Sequence, residues 1–147
     1  MTYRERLVPP WWWWVIGLAV AVLSAAEVHG GARGFGRAVL PYLLLPALVV
    51  LGLALISRGS VRITDGVLAV PGARAPVTAF GAPQALDRRG ARFALGRTDA
   101  FYCVRPWLPG AVLLPVTDPS DATSFWLVGS RHAAELAAAV LAARATG

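Results

Sequence analysis

Lysine is absent from the 147 residues, cysteine and methionine occur once each, and charged residues make up only 15% of the chain. A single cysteine, Cys103, excludes an internal disulfide and fits a reducing compartment. So little charge beside 56% hydrophobic residues excludes an ordinary water-soluble domain as the chain's whole content. The missing lysine, with abundant alanine, glycine, proline and valine, fits a GC-rich coding sequence and carries no chemistry of its own. No zinc-ligand spacing, glycine-rich phosphate loop or serine elbow occurs. No catalytic residue, metal or cofactor is therefore expected, and an enzyme is disfavoured. The net charge of +6 suits anionic lipid or orientation in a membrane. Nucleic acid is not an expected partner, because no recognition motif or aromatic–basic interleaving accompanies the charge.

What the chain does have is indole. Trp11, Trp12, Trp13 and Trp14 follow a Pro-Pro step and open an uncharged run that reaches Ala26, or Val28 if Glu27 is tolerated near its end. Four adjacent side chains point in four directions around a helix, and a soluble core would have to pair every indole N–H. A membrane interface accepts them, with ring bodies in lipid and N–H groups among the headgroups. Eighteen helical residues rise about 27 Å, close to a hydrocarbon thickness of about 30 Å. Residues 38–56 form a second uncharged run, with Pro41 expected in the first turn and Pro46 expected as an interior kink. The short glycine-rich HGGARGFGR joins the two as a hairpin.

Arginine placement sets the expected orientation. Arg4 and Arg6 precede the first span and Arg58 and Arg62 follow the second, against Arg33 and Arg37 in the connection. That bias places both termini in the cytoplasm, with a plasma-membrane protein of two spans. The competing reading is a cleaved signal peptide, with Arg4 and Arg6 as its basic region and Ser24-Ala25-Ala26 as its cleavage site. The length of the run and its bulky start weigh against it.

After Ser57 the pattern turns to short alternating runs divided by Gly, Pro and Asp. In VRITDGVLAV, Val61 and Ile63 alternate with Arg62 and Thr64, and Asp65-Gly66 suits a two-residue hairpin turn. Further strands are expected at residues 76–80, 91–95, 101–105, 111–117 and 124–128. Ser130 is the expected cap of a final helix over residues 131–145, with Leu136 and Val140, and Ala133, Ala137 and Leu141, at i, i+4 spacing. The expected fold class is thus α+β. A transmembrane hairpin (residues 1–57) precedes a small antiparallel pleckstrin-homology-like β-barrel or sandwich with a C-terminal helix (residues 58–147), an analogy of fold that carries no function by itself.

Several segments together carry a family resemblance: YRERLVPPWWWW, AAEVHGG at the end of the first span, LPYLLLP in the second, then ITDGVLAV, RPW and TDPSDATSFWLVGSRHAAELAAAV. Over nearly the whole length the chain resembles the actinobacterial membrane-protein family catalogued as domain of unknown function 3093. The resemblance implies an integral membrane protein with two spans and brings no catalytic residues.

Glu27 is the intramembrane polar residue; with His29 it offers too few ligands for a metal and is expected to pair with Arg33, Arg37 or water. Arg88, Arg89 and Arg92, with Arg97 nearby, are candidates for contact with lipid or a partner, against a solvated loop offset by Asp87 and Asp99. Arg105 and Trp107 in RPW are candidates for partner contact, against simple packing of a strand end. Asp118-Pro119-Ser120-Asp121 reads as a turn, Cys103 as a buried strand residue, and His132 as the start of a helix. The expected role is a membrane-anchored interaction or scaffold module that meets membrane lipids and a protein partner or its own copy. The alternative is an accessory subunit of a transporter or envelope-biogenesis complex acting through the hairpin and Glu27.

Overall fold

A computed structural model of the chain describes residues 2–31 and 34–146. It separates into two compact units, the hairpin of residues 8–58 and a folded unit made of residues 2–7 with 59–146. A simple cut after residue 57 therefore misplaces the N-terminus. Residues Tyr3–Arg6 form strand β1 and pair antiparallel with β2 (Ser60–Thr64), Tyr3 opposite Ile63 and Arg6 opposite Ser60. The hairpin is thus inserted between two neighbouring strands of one sheet.

In the hairpin unit, α1 spans Trp11–Gly31 and α2 spans Phe35–Ser57. Both are longer than the uncharged runs because glycines and the polar residues Glu27 and His29 remain helical. Pro41 consequently lies in the helix interior with Pro46, not in the first turn. Arg33 lies outside the described residues, as does the side chain of Arg37. The two helices meet along a row of small residues, Gly17, Ala21 and Ala25, spaced four apart on one face of α1. Ala21, Ala25 and Leu53 are buried there. A Cβ on Gly17 would stand 2.9 Å from Val49 Cγ1 and 3.6 Å from Leu53 Cδ1. Gly17→Leu is expected to weaken helix pairing by about 1–3 kcal/mol through overpacking. An earlier transition when the detergent-solubilised full chain is titrated with SDS checks this.

The folded unit contains two four-stranded sheets. In the first the order is β1-β2-β3-β4, with β3 at Val67–Val70 and β4 at Ala73–Pro76. Asp65 and Gly66 take φ of 51° and 71°, the left-handed pair that the β2–β3 turn requires. In the second the order is β5-β7-β8-β6, formed by Gln84–Asp87, Gly110–Pro115, Phe125–Ser130 and Ala100–Cys103. Helix α3 (Arg88–Ala94) follows β5, and α4 (Ala133–Ala145) ends the chain.

Four expectations change. β6 pairs with β8 in parallel, so the second sheet is mixed. Among the described residues the sheets keep separate edges, β1 and β4 in one and β5 and β6 in the other, so of the expected barrel or sandwich the closed barrel is the one that does not form. Residues 91–95 are not a strand: Asp87 accepts a hydrogen bond from Gly90 N at 2.7 Å and caps a helix over most of that stretch. The expected strand at 76–80 is instead the end of β4 and a 3-10 turn over Val77–Ala79.

One core serves both sheets. Val61, Ile63, Leu68 and Val70 from the first sheet pack with Val112, Leu114 and Val128 from the second and with Leu136, Ala137, Val140 and Ala143 of α4. Leu141, expected on the buried stripe, is half exposed, and Ala143 is buried in its place. On the second sheet's other face, Ala111, Phe125 and Leu127 pack with Ala91 of α3. A sheet covered on both faces explains why Ala111-Val112-Leu113-Leu114 runs apolar without alternation.

Candidate functional site

Two places in the folded unit gather polar chemistry. The first is buried and ties β1 to the turn between β8 and α4. Glu5 points inward from β1 and is only 9% exposed. Its Oε2 accepts from Ser130 Oγ at 2.6 Å and from Tyr3 OH at 3.0 Å, while Oε1 accepts from Arg131 N at 2.7 Å. Ser130 is fully buried at the end of β8, and its Oγ also accepts from His132 N at 3.0 Å. Ser130 is therefore not the cap of α4. His132 holds the N-cap position without a side-chain bond, and Ser130 binds the carboxylate of a strand more than a hundred residues earlier.

Tyr3 titrates in this setting. Burial chiefly, with the hydrogen bond to Glu5 and its negative charge, pushes the phenol up to about 12, against an opposing contribution from Ser130. Its folded pKa lies above the unfolded value near 10, so its contribution to stability is whole below about pH 10 and is lost as pH rises towards 12. Stability measured from pH 9 to 12 should fall over that window, and Tyr3→Phe should flatten the fall.

The second place is α3 and its exit. Arg88, Arg89 and Arg92 are exposed, and no ion pair engages them among the described residues. Phe93 beside them is 88% exposed and Leu95 is also exposed. Arg97 differs. It forms an ion pair with Asp99 at 3.1 Å and lies 4.9 Å over the Phe125 ring. Hydrogen bonds from Arg97 and Ser124 hold the Asp99 carboxyl down to about 2. Tyr102 OH fixes the exit of α3, accepting from Arg97 N at 3.0 Å and lying 3.0 Å from Ala94 O and 2.8 Å from Arg97 O.

The other candidates fall elsewhere. Trp107 packs against the main core, and Arg105 lies in the turn closed by Leu108 N on Arg105 O at 3.1 Å. Asp118 accepts from Ser120 N and Oγ and Asp121 accepts from Thr123 N, so that segment is the expected turn. Cys103 is buried, and burial pushes its thiol up, which leaves it a poor nucleophile. In the hairpin unit, Trp11 and Trp12 are exposed, and His29 sets its ring edge-on to Tyr42 at 5.9 Å. Trp13 and Trp14 are partly buried, and Trp13 lies 5.7 Å from Trp12 between ring centroids. Glu27 is exposed, and no group of three metal-ligating side chains occurs among the described residues. The Glu5 network and the exposed Phe93 are absent from the sequence-based candidates. Glu5 stands between the inward Tyr3 and the buried Leu7, a place for a carboxylate that only the fold interprets.

The family profile described as "Protein of unknown function (DUF3093)" matches residues 2–140. No curated protein and no solved structure matches the chain.

Proposed function

The chain belongs to the DUF3093 family, and from that premise we propose a two-span membrane protein whose hairpin holds an α+β domain at the cytoplasmic bilayer surface, as an interaction or scaffold module. The observation that carries this reading is uncovered apolar surface. Within residues 11–30 and 39–57, 18-residue stretches have mean hydropathies of 1.5 and 2.6, yet only 11% and 6% of each stretch is buried within the protein. A core helix of a soluble protein would be mostly covered by its own chain; these two have the length and surface for lipid.

The sheet supports two crossings. The chain leaves it at β1 and rejoins it at β2, so it must cross the bilayer an even number of times. The same pairing weighs against signal-peptide cleavage after Ala26, which would remove β1 together with Glu5. Arginine placement then favours the cytoplasmic face for both termini. Two sheets sharing one core with a C-terminal helix fit the pleckstrin-homology-like order, and we retain that reading for the folded unit. Tethering concentrates such a domain near its neighbours, so that a weak contact with a protein partner suffices.

Reporter fusions at each terminus test the orientation: a fluorescent protein that matures only in the cytoplasm should be bright at both ends, and a phosphatase active only outside should be silent. Phosphatase activity at either end sinks the assignment. Crosslinking in native membranes tests the scaffold role, which requires a reproducible protein neighbour.

A further inference from the structure

The outward face of α3 combines charge and an aromatic ring on a fixed frame. At 100° per residue, Arg88, Arg92, Arg89 and Phe93 fall within an arc of about 140°, and Ala91, the buried residue of the helix, lies on the other side. We propose that this face is a wedge for anionic lipid. Phe93 and Leu95 enter the boundary between headgroups and acyl chains, and Arg88, Arg89 and Arg92 take the lipid phosphates. The proposal deepens the anchored-domain reading and rests on it.

Three observations favour an anionic bilayer as the occupant. The first is charge complementarity, because these three guanidinium groups have no ion pair among the described residues while Arg97 is already engaged by Asp99. The second is rigidity. Asp87 caps the start of α3 and Tyr102 clasps its end, so the exposure of Phe93 belongs to a defined helix. The third is tethering: only Arg58 and Gly59 separate α2 from β2, and residues 7–10 separate β1 from α1, so two short connections join the folded unit to the hairpin. A face that is basic and aromatic together suits an interfacial element, in which apolar burial and phosphate contact add.

The test uses the full chain in vesicles, with Cys103→Ala as background and a nitroxide at Phe93→Cys. Collisions with oxygen report lipid, and collisions with a water-soluble nickel chelate report solvent. In vesicles containing phosphatidylglycerol the label should be oxygen-accessible and shielded from nickel; in phosphatidylcholine alone it should meet nickel. Replacing Arg88, Arg89 and Arg92 with glutamine should lower the inserted-to-free ratio about a hundredfold. A label that meets nickel in phosphatidylglycerol overturns the proposal. So does equal shielding in both lipids, and so does shielding that vanishes when protein is diluted into excess lipid, which marks contact between copies. A second label at Leu48→Cys, on an exposed position of α2, separates the two readings. If it is lipid-exposed while the α3 label is not, the wedge falls and the anchor stands; if both meet nickel, both fall.

Discussion

Glu5→Ala is expected to cost the folded unit about 3–5 kcal/mol, because it leaves three donors, Tyr3 OH, Ser130 Oγ and Arg131 N, without their acceptor. Hydrogen bonds to a charged acceptor count for more than neutral ones, and Ser130 is fully buried, so water does not easily replace the carboxylate. The loss is local first. β1 is an edge strand whose inward positions are Tyr3 and Glu5; Leu7, fully buried in the core just after it, still holds its far end once the carboxylate is gone. Hydrogen exchange on the full chain in mild detergent should show Arg131 and His132 amides exchanging more than a hundredfold faster. Tyr3→Phe removes one donor and keeps the acceptor, and should cost only about 1–2 kcal/mol. Equal effects of the two variants would mean that the carboxylate is not the centre of the network.

Phe80→Ala is expected to cost a similar amount, about 3–5 kcal/mol, by a different route. Phe80 is 1% exposed and sits edge-on to Trp126 at 5.0 Å between ring centroids; Trp126 in turn lies 4.7 Å from Phe101. The residue also carries the bridge to Val116, where the chain from the first sheet reaches the end of β7. Truncation leaves a cavity in the core that both sheets share. The urea midpoint of the folded unit should fall by about 2–4 M. Leu141→Ala, on the exposed side of α4, should change stability by less than about 0.5 kcal/mol.

The contrast between these two residues explains what could be read from the chain alone. Elements whose burial follows a local rule were legible. Val61 and Ile63 alternate with Arg62 and Thr64, Asp65-Gly66 marks the turn, and the uncharged runs give two helices. β1 was not legible, because YRER places a phenol and a carboxylate inward, and neither has meaning until Ser130 and Arg131 arrive from the far end of the chain. The stretch that forms α3 reads as a strand in the sequence for the opposite reason. Ala91, Phe93 and Leu95 alternate as a half-buried strand would, but only Ala91 is buried. The Asp87 cap and the cover that Ala91 gives to Ala111 and Leu127 decided for a helix. The parallel pairing of β6 with β8 depends on which strand fills an edge, and no local pattern encodes that.

The candidate site divides in the same way. Arg88, Arg89 and Arg92 stood out as charge, but the neighbouring Phe93 gains significance only from its exposure on a capped helix. Glu27, the polar residue near the end of the first span, is exposed on α1, and nothing in the hairpin gathers other ligands around it among the described residues.

Flotation after alkaline carbonate extraction tests the central claim most directly. The full chain is expressed, membranes are washed with carbonate and loaded beneath a sucrose gradient, and the position of the protein is read by immunoblot. A protein whose α1 and α2 are solvated by acyl chains rises with the lipid and is released only by detergent. Recovery in the carbonate supernatant, or at the bottom of the gradient free of lipid, would contradict the account.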